Sequence, residues 1–390
     1  MKQNKYDFLI VGAGFFGATM ARMLSDKGYR VLIMEKNKYV GGLCADENIE
    51  GILVTKYGPH VISTNNIDVW KFLNKYGKMN SFSKSEVMKN KNILYHLPID
   101  SLTFSQVYGT ITIQESYKNI MNEVKNYNVK VAESLEDECI IKSGLTIYSN
   151  VLKNFYEKMF GKKCSQLAVS MPNMIPITYN YCPYTNTDLY AGVPINGFTN
   201  LVENIIGDDI PIMLGKDFLA DIDGNSKYAD LVIYTGPLDA LCHYVYGSLN
   251  WCTASFSTMN ESLRGNYIYG IPIININDLN NNTYRITEHK WFHPEKLNDT
   301  KYKSNNIVTY EEWKKWEPGD LTLYAIIDKK MTELVDKYVT FVNDKYPNII
   351  LGGKNALFAN MTIGETVEEA IKLSSLVPNK SDIIDESINK

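Results

Sequence analysis

The chain opens with apolar runs separated by a glycine-rich turn. Residues 6–11 form a short apolar run of strand length, and a glycine-rich stretch, residues 12–17, follows directly. Residues 18–29 place apolar side chains at helical spacing, and residues 30–35 form a second apolar run that ends in Glu35. The pattern predicts a strand, a tight turn, a helix and a second, parallel strand.

The glycines of that turn have a spacing with a physical reason. Gly12 permits the tight turn, Gly14 lets the backbone approach a pyrophosphate, and Gly17 lets the helix pack against the strand. The amides at the helix N-terminus then face the phosphates. Glu35 closes the second strand, where a carboxylate accepts ribose hydroxyls and repels a 2′-phosphate. These features predict a dinucleotide site and favour FAD or NAD over NADP.

Further glycine pairs distinguish FAD from NAD. Gly41 and Gly42 follow the acidic strand end closely, where the backbone must approach something bulky. Two-domain flavoproteins often place such a pair beside the FAD pyrophosphate. Near the C-terminus, Gly352 and Gly353 again follow a strand and precede a helix, so both ends of the chain are expected to converge on one cofactor. We therefore predict FAD.

Beyond this unit, the chain departs from simple alternation of strands and helices. Residues 51–66 are rich in β-branched side chains and predict a hairpin or strand pair. Helical patterns fill residues 104–160, whereas residues 251–258 and 267–292 are β-rich. The pattern therefore predicts an α/β fold with a helical insertion.

Composition limits the partners and the compartment. The 390 residues carry a net charge of -4, which argues against a broad basic surface for nucleic acid but leaves a local basic groove open. No apolar run approaches the length of a membrane span, and no signal-peptide layout is present, so we expect a cytoplasmic protein without membrane contact. The six cysteines lack metal or redox spacing, so we expect reduced thiols and no metal site.

The chain resembles the flavin-dependent UDP-galactopyranose mutases. The likeness runs from Tyr6 to about Leu373, and its specific elements are VGAGFFGA, EKNKYVGGL, KYGPHVIST, IYTGPLD, YRITEHKWF and LGGK. The resemblance implies FAD in a Rossmann-like domain, with a helical domain and a six-stranded sheet closing the substrate cleft. It also implies that reduced flavin N5 attacks a UDP-sugar, forming an adduct through which the ring contracts from pyranose to furanose.

On this basis we predict three parts. The Rossmann-like FAD-binding domain is discontinuous and covers residues 1–80, 195–245 and 340–380. The helical domain covers residues 100–170. An antiparallel six-stranded sheet domain over the cleft covers residues 80–100, 171–194 and 246–335.

The motifs and the resemblance imply three groups of site residues. The catalytic residues are His60, Arg285 and Tyr324. The cofactor-binding residues are Gly12, Gly14, Phe15, Phe16, Gly17, Glu35, Lys36, Gly41, Gly42, Leu43, Tyr57, Gly58, His60, Thr235, Gly236, Gly353, Lys354, Met361 and Thr362. The substrate-binding residues are Phe155, Tyr156, Phe160, Met174, Tyr184, Arg285, Tyr324 and Phe358.

The departures from the family pattern are concentrated on the substrate side. Arg285 matches one of the paired arginines that bind the substrate diphosphate, but Met174 stands at the position of the other. Loss of a charged partner of a desolvated diphosphate costs several kcal/mol. Phe160 stands at a tryptophan position, and His96 replaces an asparagine. Substitutes for the missing charge are Lys216, Lys290 and Lys354.

Three functions are compatible with intact cofactor motifs and altered substrate positions. The first is a mutase that interconverts the pyranose and furanose forms of a nucleotide-sugar. The alternative is a flavoenzyme with the mutase fold that performs amine oxidation or C–N bond cleavage on an amino-modified nucleotide or DNA base. The third is a non-catalytic FAD-binding protein. The sequence leaves open the substrate, the working redox state of the flavin, and whether the chain forms a homodimer.

Overall fold

The computed structural model describes residues 6–169, 171, 175–186, 188–261, 267–299, 302 and 304–382. The strands are β1 (Tyr6–Val11), β2 (Val31–Glu35), β3 (Asp46–Ile49), β4 (Ile52–Thr55), β5 (Ile62–Thr64), β6 (Glu86–Asn90), β7 (Ile93–Leu97), β8 (Tyr190–Gly192), β9 (Ile212–Leu214), β10 (Ala229–Tyr234), β11 (Trp251–Asn260), β12 (Ile273–Ile276), β13 (Thr283–Glu288), β14 (Ile307–Lys314), β15 (Tyr324–Ala325) and β16 (Ile349–Leu351). The helices are α1 (Phe15–Asp26), α2 (Ile67–Tyr76), α3 (Ser101–Tyr108), α4 (Ile113–Tyr127), α5 (Leu135–Ile147), α6 (Lys153–Phe160), α7 (Phe198–Ile206), α8 (Ile222–Ser226), α9 (Leu238–Leu241), α10 (Lys329–Lys345), α11 (Gly353–Ala356) and α12 (Ile363–Ser375).

A five-stranded parallel sheet carries the N-terminal glycine turn. Its strand order is β16-β10-β1-β2-β9, with every neighbouring pair parallel. Helices α1, α7 and α12 share a core with one face, and α10 shares a core with the other. Both faces of the sheet are covered, which explains why β1 and β2 are almost continuously apolar. The predicted α/β class and parallel β-α-β unit are confirmed.

The second large sheet differs in detail from the prediction. It has seven strands in the order β15-β11-β14-β13-β12-β6-β7, rather than six. The β12–β6 pair is parallel, whereas the other pairs are antiparallel. Strand β15 has only two residues, too few to produce an apolar alternation, and β6 comes from a distant part of the chain. The expectation of a wholly antiparallel, six-stranded sheet is corrected accordingly.

The strand pair predicted inside residues 51–66 is wrong. The segment contains β4 and β5, but β4 pairs with the preceding β3, and β5 pairs with the distant β8. A hairpin turn precedes β4 instead, where Glu50 and Gly51 have φ values of 51° and 92°. The prediction of strands was therefore correct here, and the prediction of which strands pair was wrong.

Helices α3 to α6 pack into a separate core that also contacts the seven-stranded sheet. Helices α4 and α5 begin with reciprocal caps, Thr112 with Glu115 and Ser134 with Asp137, which satisfy the first free amides. None of the described helices is long and apolar enough to cross a lipid bilayer. Within the described ranges, no cluster of His, Cys, Asp and Glu side chains could hold a metal ion. The predicted domain boundaries stay predictions.

Candidate functional site

The first two glycine turns meet each other. A methyl group placed on Gly42 would lie 3.1 Å from the Cα of Gly14, so these backbones touch without side chains between them. The Gly41 amide donates to the Ala13 carbonyl at 2.9 Å, which holds the turns together. Gly41 and Gly42 have φ values of 106° and 57°, a region that favours glycine. The pair of turns forms an open backbone surface at the N-terminus of α1.

Glu35 fixes the shape of that surface. Its Oε2 accepts the Ala13 amide and its Oε1 accepts the Asn37 amide, both at 2.8 Å. The residue is buried, yet each carboxylate oxygen can accept a further hydrogen bond. The predicted ribose-binding carboxylate therefore also serves as a brace between β2 and the turn.

The C-terminal glycine pair, Gly352 and Gly353, lies beside the same backbone surface. A Cβ on Gly352 would lie 2.5 Å from the ring of Phe16, and one on Gly353 would lie 3.1 Å from it. From β10, the Thr235 hydroxyl donates to the Val11 carbonyl at 2.7 Å, and a Cβ on Gly12 would lie 2.2 Å from that hydroxyl oxygen. The structure thus brings together the glycine segments that the sequence predicted to converge.

This surface fits the diphosphate of a dinucleotide. The N-cap of α1 is Gly14, which has no side chain to satisfy the first free amides. Free amides at a helix N-terminus bind anions. Phe15, which packs edge-on against Phe198, and Phe16 are both buried. The Phe16 ring supports the backbone of Gly352 and Gly353.

Lys354 brings a half-buried positive charge to the edge of this surface. Its Nζ donates to the Leu323 carbonyl at 2.6 Å and lies 5.0 Å from the centre of the Tyr324 ring. Burial lowers the pKa of Lys354 to about 8, opposed by the nearby Cys44 and Cys252 thiols. Among the described carboxylates, none lies within ion-pairing distance of it. An anionic ligand would therefore stabilise the ammonium.

His60 stands on the loop that follows β4. Its Nδ1 donates to the Gly58 carbonyl at 2.8 Å, and its ring packs against Phe198. Burial, aided by the charges of Lys354 and Arg285 and opposed by the hydrogen bond to Gly58, lowers the pKa of His60 to about 4. The imidazole is therefore neutral near pH 7, and its Nε2 is a hydrogen-bond acceptor.

A row of polar side chains crosses the seven-stranded sheet. Lys84 Nζ lies 2.6 Å from Glu86 Oε1, and Asn275 Nδ2 donates to Glu86 Oε2 at 2.7 Å. Arg285 Nε donates to Asn275 Oδ1 at 3.0 Å, and Arg285 Nη1 donates to Glu311 Oε2 at 3.1 Å. The row therefore joins β6, β12, β13 and β14, and we call it the polar row.

The polar row reaches the loop of His60. A Cβ on Gly58 would lie 3.0 Å from Glu311 Oε1, a buried oxygen that has no hydrogen-bond partner in the described part of the chain. Although burial acts to lower the pKa of Arg285, Glu311 raises it overall. Burial acts to raise the pKa of Glu86, but Lys84 and Arg285 lower it to about 2. Arg285 and Glu86 are therefore both ionised at neutral pH.

The predicted aromatic platform lies inside the helical core. Phe155, Tyr156 and Phe160 are 1%, 0% and 3% exposed, and the last two stack at 6.2 Å. The Tyr156 hydroxyl accepts the Ile175 amide at 3.2 Å. The Arg285 guanidinium carbon lies 6.0 Å from the centre of the Phe155 ring, so this helix adjoins the polar row. The uridine-binding role of these rings stays a prediction.

Other predicted substrate residues are dispersed. Tyr324 lies on β15 beside Lys354, and burial raises its pKa to about 12. Tyr184 is exposed on a loop, whereas Phe358 is buried edge-on against Trp251 in the core shared with α10. Phe358 therefore packs in the interior. Met174 lies outside the described residues.

Several predicted cofactor residues lie around the glycine turns with ordinary structural partners. Tyr57 shares a hydrogen bond with Tyr39 at 2.6 Å, and Leu43 packs against the helical core. Thr362 caps α12 by accepting the Glu365 amide. Lys36 is exposed, whereas Gly236 and Met361 are half-buried.

The sequence prediction missed Glu86, Asn275 and Glu311. Each is a polar residue within a strand, and each is buried. A buried polar residue among apolar neighbours is a signal of a hydrogen-bonded network or a site. The apolar stretch around Asn275, IININ, carried this signal in the sequence.

Comparisons with known proteins cover nearly the full chain. A probable UDP-galactopyranose mutase of Klebsiella pneumoniae is 27% identical over 373 residues, which span 95% of this chain and 94% of that protein. A dTDP-fucopyranose mutase of Escherichia coli is 26% identical over 376 residues, spanning 94% of this chain and 97% of the relative. The crystal structure of a reduced UDP-galactopyranose mutase has the same fold, with a TM-score of 0.72, 13% identity and 95% coverage of each chain.

Family models agree with the two parts of the fold. Residues 10–76 match an NAD(P)-binding Rossmann-like domain, which confirms the predicted Rossmann-like unit. Residues 150–359, more than half of the chain, match the family described as UDP-galactopyranose mutase. That segment contains Arg285, Glu311, Tyr324 and Lys354. This protein therefore belongs to the UDP-galactopyranose mutase family.

Proposed function

We propose that this FAD-dependent mutase interconverts the pyranose and furanose forms of a pyrimidine-nucleotide sugar. The full-length relatives support a nucleotide-sugar, because one is named for UDP-galactopyranose and another for dTDP-fucopyranose. Both carry a pyrimidine base, a diphosphate and a hexose. The mutase is favoured over the amine oxidase and C–N lyase that the sequence left as alternatives.

The glycine segments are the proposed cofactor cradle. Gly12, Gly14, Gly42 and Gly353 would leave the backbone open to the FAD diphosphate, and Glu35 would accept ribose hydroxyls. Lys354 would place its ammonium where the flavin is expected, beyond the glycine turns and beside Tyr324. When bound, the reduced flavin supplies the nucleophile for the ring interconversion.

The observation that carries the proposal is the position of Arg285. Its guanidinium is buried and held by Asn275 and Glu311, and that carboxylate adjoins the loop of His60. A fixed guanidinium fork matches the geometry of phosphate oxygens. An anion bound by Arg285 would therefore lie between the polar row and the predicted position of the flavin.

His60 and Tyr324 are proposed to act on the sugar beside the flavin. The neutral His60 offers Nε2 as an acceptor for a sugar hydroxyl or its proton. Burial raises the pKa of Tyr324, which keeps its hydroxyl protonated as a hydrogen-bond donor. Both groups would orient the substrate without adding charge.

The test is turnover by the FAD-loaded protein with UDP-galactofuranose and with dTDP-fucofuranose. Conversion to the pyranose form under added reductant, without oxygen consumption, would support the proposal. Oxygen consumption with amino-modified nucleotides, and no ring interconversion, would support the oxidase or lyase instead. Arg285→Lys keeps the charge and removes the fork, so it should lower turnover and leave flavin content unchanged.

The cellular location and the assembly belong to the same set of proposals. A cytoplasmic enzyme would meet nucleotide-sugars where they are made. We propose a homodimer, and size-exclusion chromatography with light scattering tests it.

A further inference from the structure

Lys84 stands at the open end of the polar row. Its side chain is 29% exposed, whereas that of Glu86, to which it is paired, is 5% exposed. Glu86 accepts two other hydrogen bonds, from Thr185 Oγ1 at 2.8 Å and from Asn275 Nδ2 at 2.7 Å. Asn275 in turn connects Glu86 to Arg285. The carboxylate is thus fixed inside the sheet, and Lys84 presents its charge from the edge.

Lys84 and Arg285 are a fixed pair of cations. The Glu86 carboxylate and the Asn275 amide connect them, so hydrogen bonds to these two strand residues set their separation. Both charges lower the pKa of Glu86, and both lower the pKa of His60. The two cations therefore act on the same region, the loop of His60 beside the polar row.

The segment that carries Tyr184 is attached to Lys84. The Thr185 amide donates to the Lys84 carbonyl at 2.8 Å, and the Lys84 amide donates to Asn186 Oδ1 at 2.5 Å. Tyr184, predicted to contact substrate, is 44% exposed on this segment. Lys84 thus lies where an exposed aromatic residue and the polar row meet.

The charges of the site favour an anion only when Lys84 is included. Lys84, Arg285 and Lys354 are positive, and Glu86 and Glu311 are negative, which leaves an excess of one positive charge. Without Lys84 these groups would sum to zero. A diphosphate carries about two negative charges and requires cationic partners. Met174 supplies no charge at the position where the family carries its second arginine.

We propose that Lys84 supplies the second positive charge for the substrate diphosphate, with Glu86 positioning its ammonium opposite Arg285. This inference rests on the proposed function. It assigns to Lys84, two residues before β6, a role that the sequence resemblance placed at residue 174. The substrate and FAD both carry a diphosphate, so the experiment must show which of the two Lys84 binds.

The experiment is calorimetric titration of the FAD-loaded protein with UDP and with uridine. Lys84→Ala should weaken UDP binding by about tenfold, the loss expected for one charged hydrogen bond to phosphate. Uridine binding should stay within about twofold, because the nucleoside has no diphosphate. Lys84→Arg should retain UDP affinity within about threefold. The matched control is Lys89→Ala, which removes an exposed lysine from β6, the strand that follows Lys84.

A second variant separates binding from folding. Lys84→Ala leaves the buried Glu86 without its cation, so Lys84→Met combined with Glu86→Gln removes both charges together. This double variant leaves the net charge of the site unchanged and removes the contact of the Lys84 ammonium with phosphate, so it should fold, retain FAD and bind UDP about tenfold more weakly than the native protein. UDP affinity within about twofold of native in both variants would overturn the proposal.

Two further outcomes are decisive. Loss of flavin with unchanged UDP affinity in the loaded fraction would assign Lys84 to the cofactor phosphates and overturn the inference. If the native protein bound neither UDP nor dTDP, the proposed function itself would fail, and the role of Lys84 with it. If the native protein binds UDP and the Lys84 variants bind it with the same affinity, only the inference about Lys84 fails.

Discussion

The backbones of Gly14 and Gly42 approach so closely that a methyl group on Gly42 would lie 3.1 Å from the Gly14 Cα. The reverse contact is looser, because a Cβ on Gly14 would lie 3.8 Å from the Gly42 Cα, an ordinary van der Waals distance. The two positions therefore differ in what a side chain would disturb. At Gly14 the fold has room for a Cβ, and the space beyond it is where the diphosphate is proposed to lie.

Gly14→Val should accordingly abolish flavin retention while the protein still folds. The valine methyl groups would occupy the path of the pyrophosphate, which requires bare backbone. Visible absorbance of the purified protein measures bound flavin, and urea denaturation measures folding. Gly270→Ala is the control, because no atom lies within 4 Å of a Cβ there. A yellow Gly14→Val protein would remove this turn from the cofactor site.

Glu35→Ala should weaken FAD binding by about 1 to 3 kcal/mol, the range for a hydrogen bond that involves a charged group. The carboxylate braces the turn through the Ala13 and Asn37 amides, so the loss includes a less ordered cradle. Fluorescence titration of the apoprotein with FAD gives the affinity. Glu47→Ala is the matched control, since that half-exposed carboxylate pairs with Lys56 at 2.6 Å. Equal affinities for native and Glu35→Ala protein would refute the assignment.

Lys354→Met should make the bound flavin harder to reduce. A cation beside the flavin stabilises the negative charge gained on reduction, and the methionine retains the length of the side chain. We expect the midpoint potential to fall by about 30 mV, equivalent to about 1.4 kcal/mol for a two-electron couple. Spectrophotometric titration against a reference dye measures the potential. Lys330→Met changes an exposed lysine as control, and an unaltered potential in Lys354→Met would place that ammonium away from the flavin.

Stability should decrease as the pH falls below the ordinary pKa of histidine. Burial, aided by the charge of His293, lowers the pKa of His289 from 6.5 to about 3. In that interval the unfolded chain binds a proton that the folded protein does not, so folding is favoured at high pH and loses stability as pH falls. The slope from one such histidine reaches about 1.4 kcal/mol per pH unit.

His289→Gln should reduce this slope. Free energies of unfolding from urea titrations between pH 6.5 and 5 test it, above the range in which most carboxylates titrate. His60 has a similarly lowered pKa of about 4, so part of the slope should persist in the variant. The exposed His243, changed to Asn, provides the control. An identical slope in native and His289→Gln protein would show that His289 is not held neutral.

Local patterns predicted the nucleotide-binding half of the site well. The run from Tyr6 to Glu35 encodes its own structure, because apolar periodicity sets β1, α1 and β2 and the glycines set the turn. The convergence of Gly353 on Phe16 followed from the same strand-glycine-helix order appearing twice. These features depend on neighbours in sequence or on a repeated motif.

The polar row could not be predicted in this way. Glu86 meets Asn275 only because β6 pairs in parallel with β12, a strand nearly two hundred residues later in the chain. Residue types in either strand do not specify that partner. The error over β4 and β5 has the same origin, since strand propensity does not choose between adjacent and distant edges.

The contact of Phe16 with Gly352 and Gly353 has a consequence for how the protein is made. The turn that contains Phe16 is synthesised more than three hundred residues before the glycine pair against which its ring packs. A nascent chain therefore carries an unfinished cofactor cradle until residue 353 has been added. Flavin insertion is consequently expected only after that point of synthesis.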